Sequence, residues 1–588
     1  MRSEEGTGRT LFAVLAVTAV ALAVRLIGLG TRIFHWDEGR VGYWILRYHE
    51  SGQFSYRPIV HGPFLFVTND YVFSVLPPSD FSARLVVALV GGLLPLSAWL
   101  LRDRLRDAEV VALAAVLAAN PLLVYYSRFM RNDVLVGAFA FVALALFVRA
   151  VDAGKTWPVF PSAASLALAF TAKENALIYV LCFLGAGFLL LDHRLFRAAK
   201  SGRSVRTVLF DDWRLALAYR LQRWGGSVAA GLAVTAAVAT GAAAVFFAVI
   251  VFFYAPRPDL WTALANPALL PGVVETATLG TWEQFWGLWV EGAHQSHDYL
   301  PFLYDYLETL VYGAPVVLAF AAVGVAVDGY LDDAYREIVA FAAYWGAVSV
   351  LGYPVATDIR APWAVVHAVV PLAIPAAVGV AHLYRVGRPT LAGDGSIRAR
   401  ADSLATPESR RAVVAAVLLL SAAVGVAGAN AAYMNSASDD TEQVLQWAQP
   451  ENDLKETLDR VRVVARANED EPDVLFYGTT TPSGGAVRFY VENESSLRQP
   501  PAGGPAWHTR LPLPWYLERY GATVTSTPPE EGTLPSDPPP VIVAYSWNET
   551  DVAEQVSGYS ANTHDFRLWS DRIVVFVDES ELAAARAD

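Results

Sequence analysis

A chain of 588 residues with 54% hydrophobic and only 17% charged side chains, and a mean hydropathy of +0.34, is too apolar for an ordinary soluble protein. Its formal net charge of −13 excludes a nucleic-acid surface built on overall basicity, and the single cysteine, Cys182, excludes a disulfide framework. Repeated apolar runs, each long enough to cross a hydrocarbon layer of roughly 30 Å, mark an integral membrane protein.

In chain order the hydropathy pattern predicts eleven spans, near 11–30, 82–101, 108–126, 133–150, 157–171, 176–191, 227–254, 308–328, 337–353, 363–383 and 412–432. The first run is too long, and too poorly followed by a small-residue cleavage site, for a signal peptide, and reads as a spanning helix. With the N-terminus cytoplasmic, most Arg and Lys of the connections fall inside, as the positive-inside bias requires, and an odd count puts the C-terminus outside. Only four of the 44 basic residues are lysines (Lys155, Lys173, Lys200 and Lys455). Surplus acid with arginine and little lysine, on an Ala- and Val-rich background, resembles the proteins of extreme halophiles, where acidity serves solvation.

The long external segment 31–81 contains the run Phe34-His35-Trp36-Asp37-Glu38-Gly39-Arg40 and two apolar-aromatic stretches, 41–49 and 63–76. These stretches are too short to span and are expected to lie along the interface. A second external segment, 255–307, carries Trp261, Trp282, Trp286 and Trp289 and is expected to form a lid or substrate-facing loop. Within it, His294 and His297 are spaced to share one helical face, a candidate pair for a divalent metal ion. After about 433, Pro, Ser, Thr and acidic residues replace the apolar runs. Strands are expected at 473–477, 540–545 and 572–577, alternating with helices at 440–467, 513–520 and 550–556. The expected organisation is thus a transmembrane domain, 1–432, and an external α/β domain, 433–588. The latter carries the sequons Asn493-Glu494-Ser495 and Asn548-Glu549-Thr550.

Four polar clusters flank the spans on the predicted outer side: Asp37-Glu38, the stretch Tyr126 to Asp133, Thr171 to Asn175, and Thr357 to Trp363. Carboxylates and cations so close to a bilayer are costly unless they have a task. Sugar transfer from a polyprenyl phosphate needs a base for the acceptor and cations for the phosphate. Asp37 can be the base, and Arg128, Arg131, Lys173 and Arg360 can hold the phosphate. Each residue also has a structural reading. Asp37 and Glu38 can start a helix, Asp133 can cap one, Arg128 and Arg131 can snorkel, and Lys173 can pair with Glu174. For Arg25, near the end of the first span, snorkelling or helix pairing is the expected role.

The strings HWDEG, HGPF, YSRFMRND, TAKEN and RAPW together resemble the GT-C membrane glycosyltransferases, in their protein O-mannosyltransferase and aminoarabinose-transferase branch. Closer still, they look like the archaeal flippase-activity-associated family of N-glycosylation loci. The resemblance covers about 10–385. It implies a polytopic α-helical GT-C fold and a dolichyl-phosphate sugar donor, with a glycan or protein as acceptor on the extracytoplasmic face and inversion at the sugar. It makes Asp37 the catalytic carboxylate, Glu38 its partner and Asp133 the second acidic motif, with Arg131 beside it. His61 fits a His-x-Pro element, but Phe64, Leu65, Phe66 and Val67 replace the lysine that often follows, which moves the phosphate contacts toward Lys173, with Glu174 beside it, or Arg360. The alternative that the family's name suggests is a non-enzymatic component that helps flip or present lipid-linked sugars.

Overall fold

The computed structural model describes residues 4–58, 61–292, 298–331, 335–357, 359–391, 406–437, 449–468, 472–495, 506–566 and 571–587. The chain forms two compact units that interleave along the sequence. One comprises Met1–Ile27, Ser55–Leu65 and Leu85–Met434, the other Gly28–Phe54, Phe66–Arg84 and Asn435–Asp588.

The first unit is a bundle of apolar helices. Among the described residues of the chain, eight helices are long and apolar enough to cross a bilayer: Gly6–Leu26, Asp80–Leu101, Asp133–Ala153, Ala176–Lys200, Val228–Tyr254, Glu337–Val355, Pro362–Thr390 and Pro407–Tyr433. The protein is a multi-pass membrane protein. Two further expected spans are bent pairs, Asp107–Ala119 with Pro121–Ser127 at 53° and Tyr299–Gly313 with Pro315–Tyr330 at 90°. Both breaks fall where proline opens the second helix, since proline lacks an N–H and pushes the preceding residue out of the helical region. Asn120 fits this, with φ −58° and ψ 127°, and its side chain caps the new helix at the Leu123 N–H. The eleventh expected span, 157–171, is the helix Val159–Ala172, whose 14 residues reach only about 21 Å at 1.5 Å per residue. The expectation of eleven full spans therefore gives way to eight, or ten with the bent pairs. Where Pro315–Ala326 meets the Val366–Leu391 helix, Gly324 and Gly379 face backbone directly, the small-residue contact that lets membrane helices approach closely.

The second unit is built on a five-stranded sheet. Its strands are drawn from β1 (Val474–Phe476), β2 (Thr479–Thr480), β3 (Val487–Arg488), β4 (Val524–Ser526), β5 (Val541–Tyr545), β6 (Tyr559–Asp565) and β7 (Arg572–Asp578). The order is β4-β1-β5-β7-β6, with β1 parallel to β4 and β5, and β7 antiparallel to β5 and β6; β2 and β3 form a separate pair. The central strands β5 and β7 are buried runs of Val, Ile and Phe, as a sheet covered on both faces requires. Helices Leu454–Ala467 and Leu513–Tyr520 match two expected helices, although 440–448 of the first expectation lie outside the described residues.

The helix Trp36–Ser51 belongs to this unit. Gly39 and Gly42 let it lie against Pro512 and Trp515: a Cβ at either glycine would sit 2.6 Å from Pro512 Cα or 2.7 Å from the Trp515 ring. Phe34 stacks on Trp515 at 4.7 Å between ring centroids. Asp80 accepts from Trp515, Tyr516 and Arg519 and pairs with Lys455 at 2.8 Å.

Candidate functional site

The polar motifs of the bundle are break points between helices. TAKEN is the turn between Val159–Ala172 and Ala176–Lys200, and Asn132 ends the loop before the helix that opens at Asp133. A carboxylate in that first turn meets the positive end of the helix dipole. Asp133 is 2% exposed and meets two cations and an imidazole: Lys173 Nζ at 3.1 Å and His367 Nε2 at 3.3 Å from Oδ1, and Arg131 Nε at 3.5 Å from Oδ2. The other His367 nitrogen, Nδ1, bonds the Tyr179 hydroxyl at 2.8 Å, and Tyr353 stacks on the imidazole at 4.3 Å. YSRFMRND and TAKEN thus meet at one carboxylate, and Trp363 of RAPW lies beneath Arg131, 3.7 Å from its ring centroid to the guanidinium.

HGPF joins the same unit. A side chain on Gly62 would collide with the Thr171 carbonyl, so the loop through His61 can pass the TAKEN turn only as glycine. His61 itself takes φ +68°, in the left-handed region that non-glycine residues rarely occupy. From the start of this segment the Tyr56 hydroxyl donates to Glu174, and Tyr56 packs edge-on against Tyr254. Burial among these rings pushes the Glu174 carboxyl up to about 7, against the lowering effects of the Tyr56 hydrogen bond and Lys173.

In the other unit, His35 caps the helix that carries Asp37 and Glu38. Its Nδ1 accepts from the Asp37 N–H at 3.0 Å, and its own N–H donates to Glu38 at 3.0 Å. Asp37 is 15% exposed, its carboxylate 3.8 Å from His35 Nδ1. Glu38 is fully buried in a two-pronged pair with Arg84, at 2.7 and 2.6 Å. Burial raises the Glu38 carboxyl, but the Arg84 charge and hydrogen bonds outweigh it and hold the group down at about 2. Arg84 also donates to the carbonyls of Leu29, Arg32 and Ile33. Glu38 therefore fixes the fold of the loop that presents Asp37.

Two expected phosphate ligands are placed differently. Arg128 donates to the carbonyls of Val24, Arg25 and Ile27, closing the C-terminal end of the first helix, and Arg360 is exposed and pairs with Asp305 at 3.1 Å. Arg25 is buried and caps the carbonyls of Leu117 and Ala118, in keeping with a helix-pairing role. His294 and His297 lie outside the described residues, and among the described residues no group of three or more His, Cys, Asp and Glu is arranged to hold a metal ion. His367, Tyr56 and Arg84 escaped the sequence reading. His367 and Arg84 are ionisable residues inside apolar runs, which is itself a signal of a partner or a task, whereas Tyr56 carries none.

Residues 60–210 match the family model for dolichyl-phosphate-mannose-protein mannosyltransferase, and 454–578 match the model for the Agl23 flippase-associated protein C-terminal domain. The structure is similar to ArnT from Cupriavidus metallidurans in the apo state, with a TM-score of 0.52 at 17% identity over 97% of this chain and 98% of that one. The chain has a GT-C fold with an Agl23-type C-terminal domain. The same ArnT bound to undecaprenyl phosphate gives a TM-score of 0.50 at 16% identity, over 97% and 98% of the two chains. The archaeal oligosaccharyltransferase AglB from Archaeoglobus fulgidus, in complex with an inhibitory peptide and a dolichol-phosphate, gives 0.48 at 11% identity, over 98% and 75%. No curated protein matches the chain by sequence. The GT-C fold relates the chain to membrane glycosyltransferases.

Proposed function

We propose that this protein transfers a sugar from a polyprenyl phosphate, dolichyl phosphate by its resemblance, to a glycan or protein acceptor on the extracytoplasmic face of the membrane. The N-terminus is then cytoplasmic and the C-terminal domain external. The observation that carries the reading is the surplus of cationic partners around Asp133. Two cations, Arg131 and Lys173, meet a single carboxylate that the His367 imidazole also contacts, one positive charge more than the carboxylate balances, at the end of a membrane span. A phosphate leaving group would take up that surplus through charge-assisted hydrogen bonds.

In this reading Asp37 accepts the proton of the acceptor hydroxyl as its oxygen attacks the anomeric carbon. The bond from that carbon to the phosphate oxygen breaks, inverting the centre, and the electron pair leaves with the polyprenyl phosphate. Lys173 and Arg131 hold the negative charge that builds there. Glu174 titrates near neutrality and is suited to exchange protons at working pH. Glu38 and Arg84 hold the loop, and Arg128 holds the end of the first helix.

The test uses purified full-length protein with a polyprenyl-phosphate sugar and candidate acceptors. Asp37→Asn is expected to lower transfer by about 10²–10⁴-fold, the usual contribution of a positioned general base. Equal transfer by both proteins removes Asp37 from the chemistry. The match of 454–578 to a model described as flippase-associated favours a second reading, assistance in moving or presenting lipid-linked sugars. Intact lipid movement with no turnover of any donor would select it.

A further inference from the structure

Within the unit that contains the sheet lies a cavity of about 330 Å³, a size that takes a small molecule. Its walls include Tyr43, Phe476, Trp507, Glu494, Arg510 and Thr523. Arg510 is 1% exposed and packs over the Phe476 ring at 4.2 Å, so its guanidinium is held in one orientation. Among the described residues it commits three of its five N–H groups, Nε to the Phe489 carbonyl and one from each terminal nitrogen to Glu494 at 3.0 and 2.8 Å. Glu494 receives one further bond, from Ser526 Oγ on Oε1, which leaves accepting capacity on Oε2. A nearly buried cation thus keeps two N–H donors to spare, next to a carboxylate oxygen able to accept.

The charges of the pair cancel, so the cavity has no net pull on an anion. What it offers is a donor and an acceptor side by side in a fixed plane, with aromatic side walls from Tyr43 and Trp507. Vicinal hydroxyls both give and take hydrogen bonds, and the C–H face of a pyranose packs on aromatic rings through apolar contact. We propose that this cavity is a carbohydrate-binding subsite for a neutral sugar unit of the glycan on which the protein works. The inference rests on the glycosyl-transfer reading in naming the glycan, and it gives the C-terminal domain the task of holding that glycan.

The experiment uses full-length protein in detergent, made in a host without N-glycosylation so that Asn493 carries no glycan of its own. Saturation-transfer NMR is recorded with mannose, glucose, N-acetylglucosamine and short neutral oligosaccharides. Wild type is expected to show saturable transfer to ring C–H protons. Ala522→Phe, which fills the cavity from its partly exposed rim and leaves the Arg510–Glu494 pair intact, is expected to weaken binding at least ten-fold with the unfolding temperature kept. Glu494→Gln is expected to weaken it similarly. No saturable transfer with any saccharide, or binding unchanged in Ala522→Phe, overturns the subsite, and displacement of the sugar by millimolar inorganic phosphate would make it an anion site instead. Transfer that is lost in Asp37→Asn while no sugar binds the cavity would refute the subsite alone. Sugar binding to a protein that turns over no donor would refute the transferase reading alone.

Discussion

Two pairs of consecutive ionisable residues, Asp37-Glu38 in one unit and Lys173-Glu174 in the other, look interchangeable as motifs and are opposites in their surroundings. Glu38 meets the Arg84 guanidinium and is held down at about 2, whereas Glu174 meets a tyrosine hydroxyl among apolar rings and is pushed up to about 7. The difference is the partner's charge, since both carboxyls lose water on folding. A carboxylate that is fully paired holds structure. One that titrates near neutrality can trade protons.

The sharpest way to break this contrast is Glu38→Ala. It leaves the fully buried Arg84 without its counter-charge and is expected to cost about 3–5 kcal/mol, seen as collapse of the unfolding transition in detergent or as failure to recover protein. Adding Arg84→Met should restore much of the loss, and a fully stable single variant would show that the pair holds nothing. Gly62→Ala comes next. The added methyl meets the Thr171 carbonyl, so a loss of about 1–3 kcal/mol is expected, read by the same unfolding measurement.

A smaller effect, of opposite sign in the two pairs, appears in the pH dependence. The raised Glu174 carboxyl supports the fold fully below its ordinary value of 4.5, and that support fades as pH rises through about 7. The lowered Glu38 carboxyl supports the fold above 4.5 and loses that support as pH falls through about 2. Glu174→Gln should therefore match wild type near pH 5 and exceed it in unfolding temperature near pH 8.5. A constant difference across that range would remove the assigned environment. The least effect is expected from Arg360→Ala, whose exposed pair with Asp305 should matter to stability by no more than about 0.5 kcal/mol.

The apolar runs and the motif strings made the membrane fold and the polar motifs that meet at Asp133 legible, because span length and polar breaks are local properties. The partners of the motifs were hidden where they come from far along the chain. Glu38 reads as half of an acidic pair, and Arg84, which neutralises it, stands 46 residues away. Arg128 looks like a phosphate ligand until the carbonyls of Val24, Arg25 and Ile27 are seen beneath it, 101 to 104 residues earlier. His367 was visible as an imidazole inside an apolar run and could have been chosen on that ground. β6, with the sequence YSANTHD, lacks the apolar alternation that marks a strand and is held as one by its ladder to β7.

The seat of Trp36–Ser51 against Pro512 and Trp515 bears on how the protein is made. The Phe34 N–H bonds the hydroxyl of Tyr516, 482 residues further on, and Trp36 bonds the His508 carbonyl. At roughly 5–20 residues per second, the ribosome takes tens of seconds to deliver those partners. For that interval the glycine face of the helix has nothing to rest on, and the long loop that must close makes its docking late and slow. The nascent polypeptide thus completes the seat of its Asp37 helix only once translation is nearly over, so shortened products of interrupted synthesis lack the Pro512, Trp515 and Tyr516 side of that seat.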